Sequence, residues 1–218
     1  MNELLKSNLT LRIVSSLLLA GVTIVSLFHG SPLFETLLFF VFLLLMLELR
    51  RLPFRAQGYF FVGLYSIISF LSVYWLSKEV ELLFFLFCIV WSSDIGAYCA
   101  GKFFGGPKVL PKVRPNKTWA GVFGACFLTL FMITLLFDYY VILDYQSATS
   151  YFIEEDILVL SLIFSLLSQI GDFLQSYIKR QLGIKDTGSL IPGHGGLFDR
   201  LDGLIFVAPI FALFVYCL

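Results

Sequence analysis

Four aspartates stand where an apolar helix has least use for a charge. Asp172 lies within ILVLSLIFSLLSQIGDFLQSYI, Asp94 within FFLFCIVWSSDIGAY, and Asp199 and Asp202 open the last apolar run. A charge near the centre of a membrane helix costs about 2.5 to 3.5 kcal/mol on insertion scales, so Asp172 needs either a partner or a task. Asp199 and Asp202, three residues apart, project from one face of a first helical turn, where capping alone would account for them. Taken together they mean more. Asp172 near the end of one helix and the Asp199/Asp202 pair at the start of the next meet at one depth if the two helices pack antiparallel. Three carboxylates that close repel unless a cation lies between them, and all-oxygen donors favour Mg²⁺, which shares its sites with substrate phosphates. Basic residues surround this point: Lys179, Arg180, Lys185 and Arg200 in the stretch 179–200, and Lys102, Lys108, Lys112, Arg114 and Lys117 in 101–118. A carboxylate-held cation beside a basic, Gly-rich rim suits phosphoryl or nucleotidyl transfer, which depends on positioning and charge neutralisation. Neither GxxxxGK[ST] nor GxGxxG occurs, which excludes the two common nucleotide-binding turns.

The elements that must hold these groups are membrane helices. Hydrophobic residues make up 59% of the 218 positions and charged residues 14%, more apolar surface than a soluble core of this size can absorb. Spans of close to ~20 apolar residues are expected at about Leu11–Phe28, Leu33–Leu49, Tyr59–Leu76, Leu82–Ala100, Trp119–Phe137, Ile157–Ile178 and Leu201–Leu218. The fold class is therefore all-α, a polytopic bundle of about seven spans. With a cytoplasmic N-terminus and an outer C-terminus, 14 of the 15 Lys and Arg residues fall on the inner side and Lys78 alone on the outer. One span missed or invented would scatter that bias. Residues 1–80 form an N-terminal group of spans, and 81–218 the catalytic region with its two cytoplasmic loops, 101–118 and 179–200. In the sixth span, Ser161, Ser165, Ser168, Gln169, Asp172, Ser176 and Lys179 fall within an arc of roughly 100°, opposite Ile163, Leu166, Leu167, Ile170, Leu174 and Tyr177. Interhelical hydrogen bonding explains the serines; it does not explain Asp172. The four cysteines are scattered without a CxxC pair, so neither a zinc site nor a disulfide framework is indicated.

The run SYIKRQLGIKDTGSLIPGHGGLFDRLD, Ser176 to Asp202, resembles the signature of the phosphatidate cytidylyltransferase family. Its Ser, Lys-Arg, Lys-Asp, His-Gly-Gly and Asp-Arg-x-Asp elements stand at that family's spacing. The upstream block SSDIGAYCAGKFFGGPKVLPKVRPNKTWAG, Ser92 to Gly121, is similar to a second family block, so the resemblance runs from about Val90 to the C-terminus. It implies a reaction of CTP with phosphatidate giving CDP-diacylglycerol and pyrophosphate, dependent on Mg²⁺ with a monovalent cation such as K⁺, in a homodimer. It further implies Asp172, Asp199 and Asp202 as metal-site carboxylates. Lys117, Lys179, Arg180, Lys185 and Arg200 would be phosphate contacts, and Asp94, Ser176, Asp186 and His194 would support the site. Ile95, Arg114 and Ala120 depart from the family's usual residues, Thr or Ser, Ser and Glu respectively.

The expected partners are CTP, phosphatidate and the bilayer, with no nucleic acid, and the expected location is a bacterial inner membrane with the site facing the cytoplasm. Two readings compete: a CTP-using kinase or cytidylyltransferase of a polyprenol or ether lipid, and a cation transporter, since intramembrane aspartates also mark ion paths. The long basic loops argue against the second.

Overall fold

The computed structural model describes residues 2–53, 56–142, 154–188, 190 and 195–217. It is all-helical in its regular structure: α1 (Asn2–His29), α2 (Ser31–Leu49), α3 (Ala56–Leu76), α4 (Val80–Phe104), α5 (Trp119–Ile142), α6 (Glu154–Gln181) and α7 (Asp202–Cys217), with a short 3₁₀ turn, Phe198–Arg200, before α7. Each expected span falls on one helix, the seventh from Asp202 to Cys217, with Leu218 outside the described residues. Among the described residues five helices are long and apolar enough to cross a membrane: Pro32–Leu49, Gly58–Leu76, Val80–Phe104, Trp119–Ile142 and Ile157–Gln181. The other two apolar stretches, Leu17–His29 and Asp202–Cys217, are shorter.

Helix ends follow local chemistry. Pro32 sits in the first turn of α2, where its missing N–H costs no hydrogen bond. The Thr118 hydroxyl accepts the Gly121 N–H at 3.2 Å and caps α5. Gly183 (φ 70°) takes the left-handed conformation just beyond α6.

The alternation of helix direction gathers the basic segments at one end of the bundle. Glu48, in the last turn of α2, meets the segment before α7; Arg180 Nε donates to Val113 O across 3.4 Å; and Lys117 of the α4–α5 loop pairs with Asp172 of α6. At the opposite end Lys78, after α3, pairs with Glu35 in α2. The two basic loops thus meet at one end of the bundle, with Lys78 at the other.

The bundle is apolar outward and polar inward along α6. Ser161, Ser165, Ser168, Gln169, Asp172 and Gln175 are buried, while Ile163, Leu166, Ile170, Leu174 and Tyr177 face out. This inversion of soluble amphipathy suits a helix whose solvent is lipid. Leu27, Phe34, Val73 and Leu76 from the first 80 residues share one core with Leu82 to Val90 of α4, Phe164 of α6 and Val207 to Val215 of α7.

Close helix crossings set the depth of the charged groups. A Cβ on Gly171 would lie 2.6 Å from Phe206 Cβ and 3.1 Å from Asp202 O, and one on Gly203 would lie 2.7 Å from Ser168 Oγ. Small residues at this α6–α7 crossing bring Asp172 beside Asp202. Pro209 within α7 cannot donate to Ile205 O, and Ser69 of α3 supplies the missing donor, Oγ to O 2.6 Å.

Candidate active site at the basic end of the bundle

The α4–α5 loop folds back on itself and aims two cations inward. Lys108 and Thr118 form an antiparallel bridge, Val109 N donates to Lys117 O, and Trp119 N donates to Pro107 O, each at 3.1 Å. A turn within it, with Arg114 N donating to Leu110 O and Lys117 N to Arg114 O, leaves both side chains pointing at α6. Arg114 Nη1 lies 2.6 Å and Lys117 Nζ 2.7 Å from the same oxygen, Asp172 Oδ2. Asp172 is 8% exposed at its side chain and Lys117 9%, against 36% for Arg114. Burial lowers the Lys117 pKa from its ordinary value, and Asp172 opposes that shift. The ammonium also stands 4.7 Å from the centre of the Phe173 ring.

The expected trio of Asp172, Asp199 and Asp202 divides into two groups. Asp172 is the immediate neighbour of Asp202, and Asp94 of α4 is close enough to both to feel their charge. Asp199 faces elsewhere. Its Oδ1 accepts from Lys179 Nζ at 2.7 Å, and its Oδ2 accepts the backbone N–H of Thr187 at 2.9 Å and of Gly196 at 3.2 Å. Burial raises the Asp199 pKa, but Lys179 and the two N–H donors outweigh it and hold the carboxyl below its ordinary value. The physical reason for the division is the 3₁₀ turn, which rotates Asp199 towards the loop while Asp202 begins α7 itself.

Among the described residues no three His, Cys, Asp or Glu side chains are arranged to hold one metal ion. The Asp172–Asp202 pair nonetheless suits Mg²⁺, which binds through one or two carboxylates and completes its shell with phosphate oxygens and water. Ser168 Oγ, one turn before Asp172 and against Gly203, is a buried oxygen with no hydrogen-bond partner among the described residues.

The four aspartates and the loop cations Arg114 and Lys117 open on one cavity of about 620 Å³. Its polar end is formed by Asp94, Arg114, Lys117, Asp172, Asp199, Arg200 and Asp202, and its apolar wall by side chains that include Leu19, Phe34, Leu38, Val41, Phe70 and Val73 from α1, α2 and α3. Asp94 is exposed into this space. The remaining expected residues are placed differently. Lys179 reaches the site through Asp199, Arg180 turns to the Val113 carbonyl, and Ser176 is half-buried on α6 away from the cavity lining. Lys185 and Asp186 are exposed beside the loop and do not line the cavity. His194 lies outside the described residues.

Two buried residues escaped the sequence reading. Gln175 Nε2 donates to Phe198 O at 2.6 Å and fixes the 3₁₀ turn from α6. Glu48 of α2, 3% exposed, accepts hydrogen bonds from Thr187, Leu197 and Phe198. A signal for Glu48 was present: an acidic side chain in the last turn of a helix faces the negative end of the dipole and requires donors.

The model of the cytidylyltransferase family matches residues 3–218. The chain is 36% identical over 214 residues to a phosphatidate cytidylyltransferase of Rickettsia bellii, covering 94% of this chain and 90% of that one. It is 35% identical over 214 residues to the protein of the same name from Rickettsia typhi, covering 94% and 91%. A Brucella suis phosphatidate cytidylyltransferase is 43% identical over 130 residues, 60% of this chain and 45% of that one. With a family match along nearly its whole length and relatives alike across nine-tenths of theirs, this chain belongs to the cytidylyltransferase family.

Proposed function

We propose that the protein is a nucleotidyltransferase that moves CMP from CTP to phosphatidate, giving CDP-diacylglycerol and pyrophosphate for phospholipid biosynthesis. The observation that carries this reading is the two-sided cavity: an apolar wall from α1 to α3 continues into a polar end lined by carboxylates and cations. A phosphate lipid has that same division, acyl chains at one end and a dianionic head at the other. CTP, with its triphosphate, meets it from the loop side.

The chemistry is an in-line displacement. A phosphatidate phosphate oxygen forms a bond to the α-phosphorus of CTP, the bond from that phosphorus to the β-phosphate oxygen breaks, and pyrophosphate leaves with the electron pair. The nucleophile is already an anion, so no side chain need remove a proton. Arg114 and Lys117, fixed at the cavity's polar end, would neutralise the approaching phosphates and keep two anions from repelling each other. Arg200 lines the same end and would add a third cation. Lys179, held by Asp199, orders the segment that carries Arg200. Asp172 and Asp202 are the pair that would hold Mg²⁺, which when bound supplies charge neutralisation and alignment of the reacting phosphates. The water-poor surroundings of buried Asp172 strengthen each of these interactions.

We place the site on the cytoplasmic side of a bacterial inner membrane, where CTP is found and where basic loops concentrate. The resemblance also carries a homodimer. Purified protein given CTP labelled at the α- or the γ-phosphate, with phosphatidate and Mg²⁺, tests the reaction: α-label should enter lipid and γ-label should leave as pyrophosphate. Transfer of γ-label to lipid would make the protein a kinase instead, and the lipid supplied can be exchanged for a polyprenyl phosphate or ether lipid in the same assay.

A further inference from the structure

Glu48 is an unusual residue for the cytoplasmic end of an apolar helix, because its side-chain hydrogen bonds go to a segment 139 to 150 positions further along the chain. Its Oε1 accepts the Thr187 hydroxyl at 2.5 Å and the Phe198 N–H at 3.2 Å, and its Oε2 accepts the Leu197 N–H at 2.7 Å. The side chain is 3% exposed. Backbone is moulded around it: a Cβ on Gly196 would lie 2.2 Å from Glu48 Oε1 and 2.1 Å from Thr187 Oγ1, and one on Gly188 would lie 3.2 Å from Glu48 Cδ.

The same two stretches are gripped from the other side by Asp199, whose Oδ2 accepts the N–H groups of Thr187 and Gly196. Thr187 therefore joins the two carboxyl groups, its hydroxyl on Glu48 and its N–H on Asp199. We infer that Glu48 is a positioning residue of the active site: from the N-terminal half of the chain it pins both ends of the loop before α7, and through them sets Asp199, its partner Lys179, and the neighbouring Arg200. It touches no substrate and does not line the cavity.

Glutamine at this position keeps the shape but not the acceptors. With the amide nitrogen towards Leu197 it meets a backbone N–H, and in the flipped orientation it meets the Phe198 N–H, so one donor is opposed either way. Partial opening of the loop follows, which limited proteolysis reads without substrate. Lys185 and Lys112 are both exposed, the first in this loop and the second in the α4–α5 loop.

The kinetic arm rests on the proposed reaction, whereas the proteolytic arm does not. In detergent-extracted, monodisperse protein, Glu48→Gln should speed tryptic cutting after Lys185 on the order of tenfold, with cutting after Lys112 unchanged. The turnover rate should fall by a similar factor, with a smaller change in KM for CTP. Thr187→Val should do the same more mildly, and Thr187→Ser, which keeps the hydroxyl, should restore both readouts. Unchanged cutting after Lys185, equal acceleration at both sites, or a Thr187→Ser variant as impaired as Thr187→Val would overturn the assignment. Should Glu48→Gln not yield folded protein, the Thr187 pair decides on the same readouts. A parent enzyme that makes no CMP-lipid would sink the proposed reaction while leaving the proteolytic result to judge Glu48.

Discussion

Replacing Asp172 by asparagine separates a catalytic carboxylate from one that merely balances charge. The substitution keeps the volume and removes the charge that Arg114 and Lys117 share at 2.6 and 2.7 Å. Breaking a buried pair by deleting one partner costs about 3 to 5 kcal/mol, and since Arg114 is 36% exposed and can turn to water, the lower end, about 3 kcal/mol, is expected in stability. Activity should fall by about 10²- to 10³-fold, the loss that follows removal of one preorganised charge-handling group. Adding Lys117→Met takes away the cation stranded in the least hydrated position, so the double variant should recover most of the stability and none of the rate. CMP-lipid formation and the fraction of protein that stays monodisperse after heating in detergent are the two assays. A double variant that regained more than about a tenth of the parent rate, against the loss expected above, would show that Asp172 serves only to neutralise Lys117, and the metal and phosphate roles given to it would be wrong.

Asp199→Asn should also lose activity, by on the order of 10²-fold or more, because an amide cannot accept from Lys179 on one side and from two N–H groups on the other; Asp138→Asn, at an exposed position near the end of α5, should be silent when both are assayed at equal folded protein. The Asp199 carboxyl titrates below its ordinary 3.8, so its contribution to stability is present above that value and disappears as pH falls through the lowered pKa. The Asn variant should flatten that part of an acid-unfolding profile. Lys117, lowered from 10.5 by burial, should lose its charge and cause the rate to decline at a pH where ordinary lysines stay protonated. For the fold the sign is opposite, since relieving a buried charge favours the native state as pH rises through that pKa. Lys117→Arg should move the alkaline limb upward, and coincident limbs would refute the assignment. A topology reporter fused after Leu218 should read the non-cytoplasmic side and one at Gly106 the cytoplasmic side; agreement between the two would mean that the number of crossings between them is wrong.

Hydropathy made the helices legible. The expected starts and ends at Trp119 and Leu76 coincide with those of α5 and α3, because an apolar run between polar loops leaves the chain little freedom in lipid. The buried stripe on α6 was equally legible, since period 3.6 is a local property. Contacts between distant segments were not. Asp199 shares a motif with Asp202, yet a single 3₁₀ turn sends its carboxyl to Lys179 and the loop. Arg114 read as a departure from a family pattern, and only the fold of its loop places the guanidinium on Asp172. The role of Glu48 was hidden for the same reason, since its partners, Thr187, Leu197 and Phe198, lie too far along the chain for any periodicity to reveal.

The most direct test of the central claim is the product itself. Protein reconstituted with phosphatidate of one defined acyl composition, CTP and Mg²⁺ should yield a lipid heavier by one cytidylyl group, with its diacylglycerol backbone unchanged and one pyrophosphate released for each lipid formed. Release of CDP without a CMP-lipid, or no consumption of CTP by a folded, reconstituted protein, would contradict it.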